Sequence, residues 1–373
     1  MLRIATFNME NLFSRPTAMS GDTDAEGREA LEDFGELNSI IAKDAYSDSD
    51  KARLIELSGK YGFHKLNQTN RFIQLNKVRG QLFRMPQGGS IRNLQVVARG
   101  REDWTGWFVL LRKDVTWAAT RNTARVIHDV NADVLLAVEV EDRLTLQRFN
   151  EQVLDAEFGI SYLHNLLVDG NDERGIDVGV LSKFPIRGVR AHFDEPDPVN
   201  ASGKLFSRDC PEYEIELPSG DTLVLIGNHF KSKRNGNDQE SRDRRQRQAT
   251  RAAQIYVAAR KRSSITVVAG DFNDTPDSPA LQPLLDLQPA TDKLRDVMAN
   301  QNYDGLPGTF GTGLQSGKFD YILLPPELWE KVHQVEVERR GTYHPRKWTP
   351  YDTVTSEENQ ASDHACVWVD LNL

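Results

Sequence analysis

Six short segments, spread from the first ten residues to the last ten, place acid, amide or imidazole groups at the edge of strand-like runs. They are Phe7-Asn8-Met9-Glu10, Ala137-Val138-Glu139-Val140, Gly227-Asn228-His229-Phe230, Gly270-Asp271-Phe272-Asn273, Phe319-Asp320-Tyr321 and Ser362-Asp363-His364. Hydrolysing a phosphate ester needs a hard divalent cation on oxygen ligands, an acid or base, and donors for the phosphoryl oxygens. The six segments hold all three kinds of group.

The local context of each residue sharpens this. Glu139 ends the run Val134-Leu135-Leu136-Ala137-Val138, where a carboxylate is expensive to bury unless it is paired or coordinates a cation. Glu10 lies two residues past Asn8, so in extended chain both share a face, one for metal and one for phosphate. Asp271 and Asn273 repeat that spacing after Ile265–Gly270, with Gly270 allowing close backbone approach. Asp-x-Asn alone is weak, because turns use both residues freely; behind a buried strand it is informative. His229 ends an apolar run and His364 precedes the last strand. A single strand-end His is more often structural, but two in such segments point to proton transfer or charge stabilisation at a phosphorane. Asp320 is the candidate to orient His364. The remaining histidines, 64, 128, 164, 192, 333 and 344, lack this context and read as structural or surface groups.

The elements that must position these groups follow from hydrophobic pattern. Leu2–Asn8 is a first strand. Residues 118–131 form a helix with Ala124, Val126, Ile127 and Val130 inward, leading into an apolar strand over 133–140. Further strands are expected at 178–181, 222–228, 266–269, 319–324 and 365–371, and helices at 144–158 and 243–262. Strands framed by helices suggest two packed sheets with helices outside. Residues 14–116 contribute none of the six segments; they read as one or two acidic helices over 28–61, then strands and turns over 71–111.

Composition sets outer limits. The chain has 373 residues, 39% hydrophobic and 27% charged, typical of a globular protein with one large or two ordinary domains. No apolar run approaches the roughly 20 residues needed to span a bilayer. The start lacks a secretory pattern, and Cys210 and Cys366 are far apart without metal-ligand spacing; a cytoplasmic location is expected. The net charge of −9 opposes simple nucleic-acid binding, which draws on cations facing phosphates. Between His229 and Arg262, however, eleven Lys or Arg face three acids. Lys231, Lys233 and the start of the following helix read as a basic rim beside a phosphate site. The alternative is a solvated helix face, since Ala249, Ala252, Ala253, Ile255 and Val257 give an apolar stripe.

The order and wording of these segments resemble the endonuclease/exonuclease/phosphatase superfamily, which includes deoxyribonuclease I, exonuclease III and the inositol-polyphosphate phosphatases. The resemblance covers Met1–Phe13 and about Thr116–Leu373. It implies an α/β (α+β) chain folded as a four-layered α/β/β/α sandwich, deoxyribonuclease I-like. One domain would span 1–373, with an accessory segment, 14–115, inserted after the first strand. It implies Mg²⁺ or Mn²⁺, with Glu139 as principal ligand, Glu10 as a second carboxylate and Asp363 on the metal side. Asn8 would orient phosphate, Asp271 position the attacking water with Asn273 in support, and Asp320 orient the catalytic His364. Asn228-His229 resembles the second-His segment of deoxyribonuclease I and the phosphatases. Arg174, before Gly175-Ile176-Asp177-Val178, is similar to a phosphate-contacting Arg of some branches.

Substrate class is read from less. Asn228-His229-Phe230-Lys231-Ser232-Lys233 resembles bacterial nuclease members, so a nuclease on DNA or RNA is expected, with Lys231 and Lys233 on the substrate. The alternative is a phosphomonoesterase or phosphodiesterase on a small sugar- or lipid-linked phosphate, similar to inositol phosphatases or sphingomyelinases. A non-catalytic binding relative would have lost ligands, and none is lost. Two departures stand out. Val138 occupies a place often held by Gln, and the long 14–115 segment carries Arg71, Lys77, Arg79, Arg84, Arg92, Arg99 and Arg101 with Trp104 and Trp107. Base stacking is one use of such a set; a packed subdomain or an oligomer contact is another.

Overall fold

The computed structural model describes residues 1–10, 12, 14–16, 24–65, 70, 72–84, 93–172, 175–233 and 239–373. Two compact units account for the chain: Met1–Phe13 with Val115–Leu373, and Ser14–Asp114.

The first unit contains two six-stranded sheets. One runs Val332–Glu338, Cys366–Leu371, Leu2–Asn8, Val134–Val140, Asp177–Ser182, His164–Leu167; the other runs Ile186–Arg190, Glu212–Glu216, Thr222–His229, Ile265–Asp271, Asp320–Leu324, Arg295–Asp296. Each is antiparallel except for one parallel pair near its middle. In the first sheet that pair is Leu2–Asn8 with Val134–Val140; in the second it is Thr222–His229 with Ile265–Asp271. Strands buried on both faces read as continuous apolar runs, which is why these four are so visible in the sequence.

Side-chain alternation divides the interior into three layers. Leu2, Ile4, Leu136 and Val138 meet Tyr213, Leu225, Val267 and Ile322 between the sheets. Ala5, Phe7, Leu135 and Ala137 face outward onto Ala124, Val126, Ile127 and Val130 of the Trp117–Val130 helix. On the far side, Val224, Ile226, Val268 and Phe272 pack against Ala249, Ala252, Ile255 and Tyr256 of the Gln239–Arg260 helix. The order is helix, sheet, sheet, helix, the expected four-layered sandwich. Thr116 caps the first of these helices by accepting the Ala119 N–H at 3.1 Å, and Asn131 ends it in the left-handed region.

Several details differ from expectation. The Gln239–Arg260 helix buries Arg245, Gln248 and Tyr256 beside its alanines, while Val257 is only half-buried. The helix expected at 144–158 starts at Arg143 and passes through a π-helical turn at Asn150–Asp155. Strands at His164–Leu167, Ile186–Arg190, Glu212–Glu216, Arg295–Asp296 and Val332–Glu338 were not anticipated. Four of them are half-exposed or short, without a long apolar run. Glu212–Glu216 alternates its glutamates with Tyr213 and Ile215, and Glu212 is satisfied by His192 and Arg262.

The second unit pairs two helices, Asp24–Ile41 and Asp48–Tyr61, with an antiparallel ribbon, Ile73–Gly80 against Trp104–Leu110. Its core includes Leu37, Leu54, Leu57, Ile73, Trp104 and Phe108. No helix among the described residues is long and apolar enough to cross a membrane. Both cysteines are free and buried.

Candidate active site

The site lies where the two parallel pairs end. Asn8 closes its strand, Glu139 sits one residue before the end of its own, and His229 and Asp271 close theirs. The neighbouring antiparallel strands begin at the same place. Asp320 pairs in register with Asp271, and His364 lies two residues before the Cys366–Leu371 strand, whose Val367 pairs with Thr6. Asp271 and Asp320 are thus held side by side by backbone pairing rather than by each other's charge.

The chain leaves the strand ends at Asn8 and Asp271 by the same device. The Glu10 N–H donates to Asn8 Oδ1 at 3.0 Å, and the Asn273 N–H donates to Asp271 Oδ1 at 2.8 Å. Both Glu10 and Asn273 lie at positive φ, 49° and 52°. The two-residue spacing therefore does not place each pair on one strand face, as extended chain would. It makes a turn in which a strand-end side chain accepts the N–H two residues on. Glu139 is also left-handed, φ 63°. Opposite it, the register of Asp177–Ser182 shifts, and Val140 packs outward with Leu135 and Ala137. Glu139 is the extra residue of a β-bulge, which re-aims its side chain out of the core. Such conformations cost of order 1–3 kcal/mol each and persist where surrounding structure imposes them. Gly270 serves the same junction. Its φ is 131°, and a Cβ there would lie 2.0 Å from the Asn228 carbonyl oxygen.

Asn8 is the hub. Its amide nitrogen donates to Asp271 Oδ2 at 3.1 Å and to Glu139 Oε1 at 3.3 Å. Expected to orient phosphate, it here orients two carboxylates, one from each sheet. Two imidazoles face the same acid: His229 Nε2 and His364 Nε2 lie 3.7 and 4.0 Å from Asp271 Oδ2. His229 Nε2 is also 3.6 Å from Glu139 Oε1. These separations exceed a hydrogen bond. On its other side His364 Nδ1 meets Asp320 Oδ2 at 2.8 Å. Glu10 Oε2 accepts the Asp363 N–H at 2.9 Å, bringing the first and last segments together.

Electrostatics follow from crowding. Burial, reinforced by Asp320 and Glu139 against the favourable charge of His364, pushes the Asp271 carboxyl up to about 7. Burial opposes charge on His364, but Asp320, with help from Asp363 and Asp271, outweighs it and holds the imidazole well above its ordinary value. The site gathers five carboxylates, Glu10, Glu139, Asp271, Asp320 and Asp363, against two imidazoles. Asp320 Oδ1 is buried without a hydrogen-bond partner among the described residues. Asp271, Asp320 and His364 each offer a ligand atom within 4.8 Å of the others. Because His364 Nδ1 is engaged by Asp320, the Asp320–His364 pair suits proton chemistry, and the remaining carboxylates suit a hard divalent cation. The donor set fits Mg²⁺ or Mn²⁺ chemically.

Other expected residues fall elsewhere. Asn228 is fully buried; it accepts from Cys210 Sγ at 3.3 Å and donates to the Ile226 carbonyl. Strand alternation explains this, since His229 takes the site-facing position and its neighbour must point away. Lys233 pairs with Asp274 Oδ1 at 2.5 Å, and the Lys231 backbone is bound at both ends, to Gln248 and to Arg245. Arg174 lies outside the described residues. Three supporting groups carried no signal as such. Ser362 Oγ donates to the Asn8 carbonyl at 2.7 Å and accepts the His364 N–H. Thr309 Oγ1 donates to Asp320 Oδ2 at 2.6 Å. The buried Lys318 ammonium donates to the Asp320 carbonyl and pairs with Asp296 at 3.0 Å. Only Ser362 could have been found, from its place inside the last segment.

Comparison with known proteins gives a consistent picture. Residues 117–364 match the model of the Endonuclease/Exonuclease/phosphatase family. Comparison with curated proteins gives no match. Among solved structures, the chain is similar to an endonuclease/exonuclease/phosphatase from Beutenbergia cavernae, with 20% identity and a TM-score of 0.49. That match covers 68% of this chain and 66% of the other, just under two thirds. It is also similar to truncated TDP2 from Caenorhabditis elegans, with 16% identity over 68% of this chain and 90% of that one, TM-score 0.44. A beta toxin from Staphylococcus aureus gives 18% identity over 69% and 93%, TM-score 0.46. The family model spans more than half of the sequence and ends on the histidine that Asp320 orients: the chain belongs to the endonuclease/exonuclease/phosphatase family, a family of hydrolytic phosphoesterases.

Proposed function

We propose that this protein is a divalent-metal-dependent phosphodiesterase, and that its preferred substrate is nucleic acid. The observation that carries the hydrolytic part is the meeting of Asn8, Glu139 and Asp271 with two imidazole Nε2 atoms, 3.7 and 4.0 Å from Asp271 Oδ2. A cation held by Glu139, with Glu10 and Asp363 as further carboxylates, would supply Lewis-acid polarisation of the phosphoryl group. The chain's own residues do the rest. Asp271, fixed by Asn8 and the Asn273 N–H, orients the attacking water and accepts its proton. His364, kept charged by Asp320, stabilises the developing phosphorane. His229, beside Glu139 and Asp271, gives a proton to the leaving oxygen.

The nuclease half rests on the segment around His229 and on Lys231 and Lys233. One observation favours a second reading, a phosphoesterase for a small sugar- or lipid-linked phosphate. The cations of the Gln239–Arg260 helix are largely engaged by the protein itself. Arg245 pairs with Asp274, Arg247 with Asp197, Arg251 with Glu195 and Arg260 with Glu327, while Arg244 donates to backbone carbonyls. The deciding experiment assays the protein with Mg²⁺ or Mn²⁺ on plasmid DNA, RNA, bis-nitrophenyl phosphate and a phosphomonoester panel. Cleavage of either nucleic acid is expected. Release of phosphate from monoesters with no nucleic acid cut rejects the nuclease reading and leaves the second.

A further inference from the structure

The Ser14–Asp114 unit distinguishes its two tryptophans. Trp104 is 3% exposed, donates its Nε1–H to Tyr46 Oη at 2.9 Å and carries the Arg101 guanidinium 5.2 Å over its ring. It is a core residue. Trp107 is 46% exposed. The reason is strict alternation along Trp104–Leu110, which buries Trp104, Gly106, Phe108 and Leu110 and turns Thr105, Trp107 and Val109 outward. Antiparallel register completes the outward face, because Asn76 pairs with Trp107, Gln74 with Val109 and Arg79 with Thr105. A register shift between Lys77 and Arg79 leaves Lys77, Val78 and Arg79 all exposed at the same end, with Arg79 on the Trp107 face and Lys77, opposite Gly106, on the other.

Charge is segregated in the same region. From Leu57 to Arg101 the sequence holds nine Lys or Arg and no Asp or Glu. Lys60 is neutralised by Glu29 and Asp33, and Arg99 by Asp103. Among the described residues, no carboxylate pairs with Lys77, Arg79 or Arg84. An exposed indole with an amide opposite it and the unpaired Arg79 on the same face is suited to a flat ring beside a phosphate. Stacking needs only a π-face, and nearby Lys and Arg follow the backbone.

We propose that this outward ribbon face binds single-stranded nucleic acid, a base stacking on Trp107 while Arg79 meets an adjoining phosphate. The choice of nucleic acid as ligand rests on the nuclease reading above, but the face lies in a different unit from the hydrolytic groups and is separable from them.

The test uses the full chain. Binding of a fluorescein-labelled oligothymidylate and of an oligouridylate is measured by anisotropy in EDTA, and hydrolysis of bis-nitrophenyl phosphate is measured with Mg²⁺. Trp107→Ala is expected to weaken oligonucleotide binding about 5- to 100-fold, and Trp107→Phe to retain most of it. The variant Arg79→Ala is expected to lower the dependence of log Kd on log salt by about 0.7. Small-diester hydrolysis should be unchanged in all three. Oligonucleotide binding with this Trp107 dependence but no cleavage of nucleic acid sustains the face and rejects the nuclease reading. Cleavage with wild-type affinity in Trp107→Ala overturns the face and leaves the nuclease standing. No oligonucleotide binding by the wild-type chain at low salt also overturns the face.

Discussion

Asn8 Nδ2 donates to Asp271 Oδ2 across 3.1 Å, joining the ends of the parallel pairs that lie near the middle of the two sheets. The two residues are 263 positions apart in sequence. With Glu139 on the same amide group, one neutral side chain fixes the relative position of two acids that would otherwise repel. Asn8→Ala should therefore cost more activity than stability. Loss of hydrogen bonds to buried charged groups costs about 1–3 kcal/mol, a modest fall in melting temperature, whereas misplacing both acids should lower kcat by about two orders of magnitude. Calorimetry beside steady-state kinetics on bis-nitrophenyl phosphate separates the two. A variant with wild-type kcat removes Asn8 from the site.

The Asp320–His364 pair should govern the alkaline limb of the pH–rate profile. Asp320 raises the His364 pKa against the opposing effect of burial, so the imidazolium persists below that raised value and is lost as pH climbs through it. Asp320→Asn should move the limb to lower pH. His364→Ala and His229→Ala should each reduce turnover by about 10²–10⁴-fold, the usual contribution of one acid–base group. An unmoved limb in Asp320→Asn contradicts the orienting role.

Asp177 offers a test away from the reacting groups. It is buried at the start of its strand, with the Gly170 N–H on Oδ1 at 2.9 Å, and burial pushes its carboxyl up to about 7. A folded pKa above the unfolded one means that the native state favours the proton. Stability from this group is full below the unfolded value near 4 and is lost as pH rises through 7. Asp177→Asn keeps the acceptor and removes the charge. Its melting temperature should match wild type near pH 4 and exceed it near pH 8, by an amount worth at least about 1 kcal/mol. Equal melting at both pH values contradicts the burial effect.

Arg245 separates structural from substrate-facing cations. It is fully buried and pairs with Asp274 at 2.9 Å. Arg245→Met should destabilise the fold by about 3 kcal/mol, as the buried Asp274 carboxylate loses the fully buried one of its two cationic partners, Lys233 being the other. Neutralising Lys231 and Lys233 should instead raise KM on nucleic acid and flatten its salt dependence, with small-diester hydrolysis nearly unchanged. Identical salt slopes before and after would take both lysines off the substrate.

Much of this site is readable in the chain because its four central strands are apolar on both faces and end abruptly on polar groups. Val134–Val138 before Glu139, and Ile265–Ala269 before Gly270 and Asp271, mark where the apolar run gives way to polar groups. Backbone detail is less legible. Nothing in Glu10 or Glu139 as residue types announces a positive φ, because that conformation is imposed by the turn and the bulge around them; Asn273 is of a type that adopts it more readily. Asn228 shares a motif with His229 yet faces the interior, which only strand alternation decides. Thr309 supports Asp320 from a loop that carries no motif. The edge strands and the internal pairing of the Arg-rich helix depend on long-range partners such as Glu195, Asp197 and Asp274.

The most direct measurement is phosphodiester turnover by wild type and Glu139→Ala, each assayed with Mg²⁺, with Mn²⁺ and after EDTA, alongside their melting curves. Wild type should lose nearly all activity in EDTA and regain it on adding either metal. Glu139→Ala should melt close to wild type and turn over at least about 10²-fold more slowly at every metal concentration. Activity that survives EDTA, or a Glu139→Ala variant within a few-fold of wild type, contradicts the proposed metal-dependent mechanism.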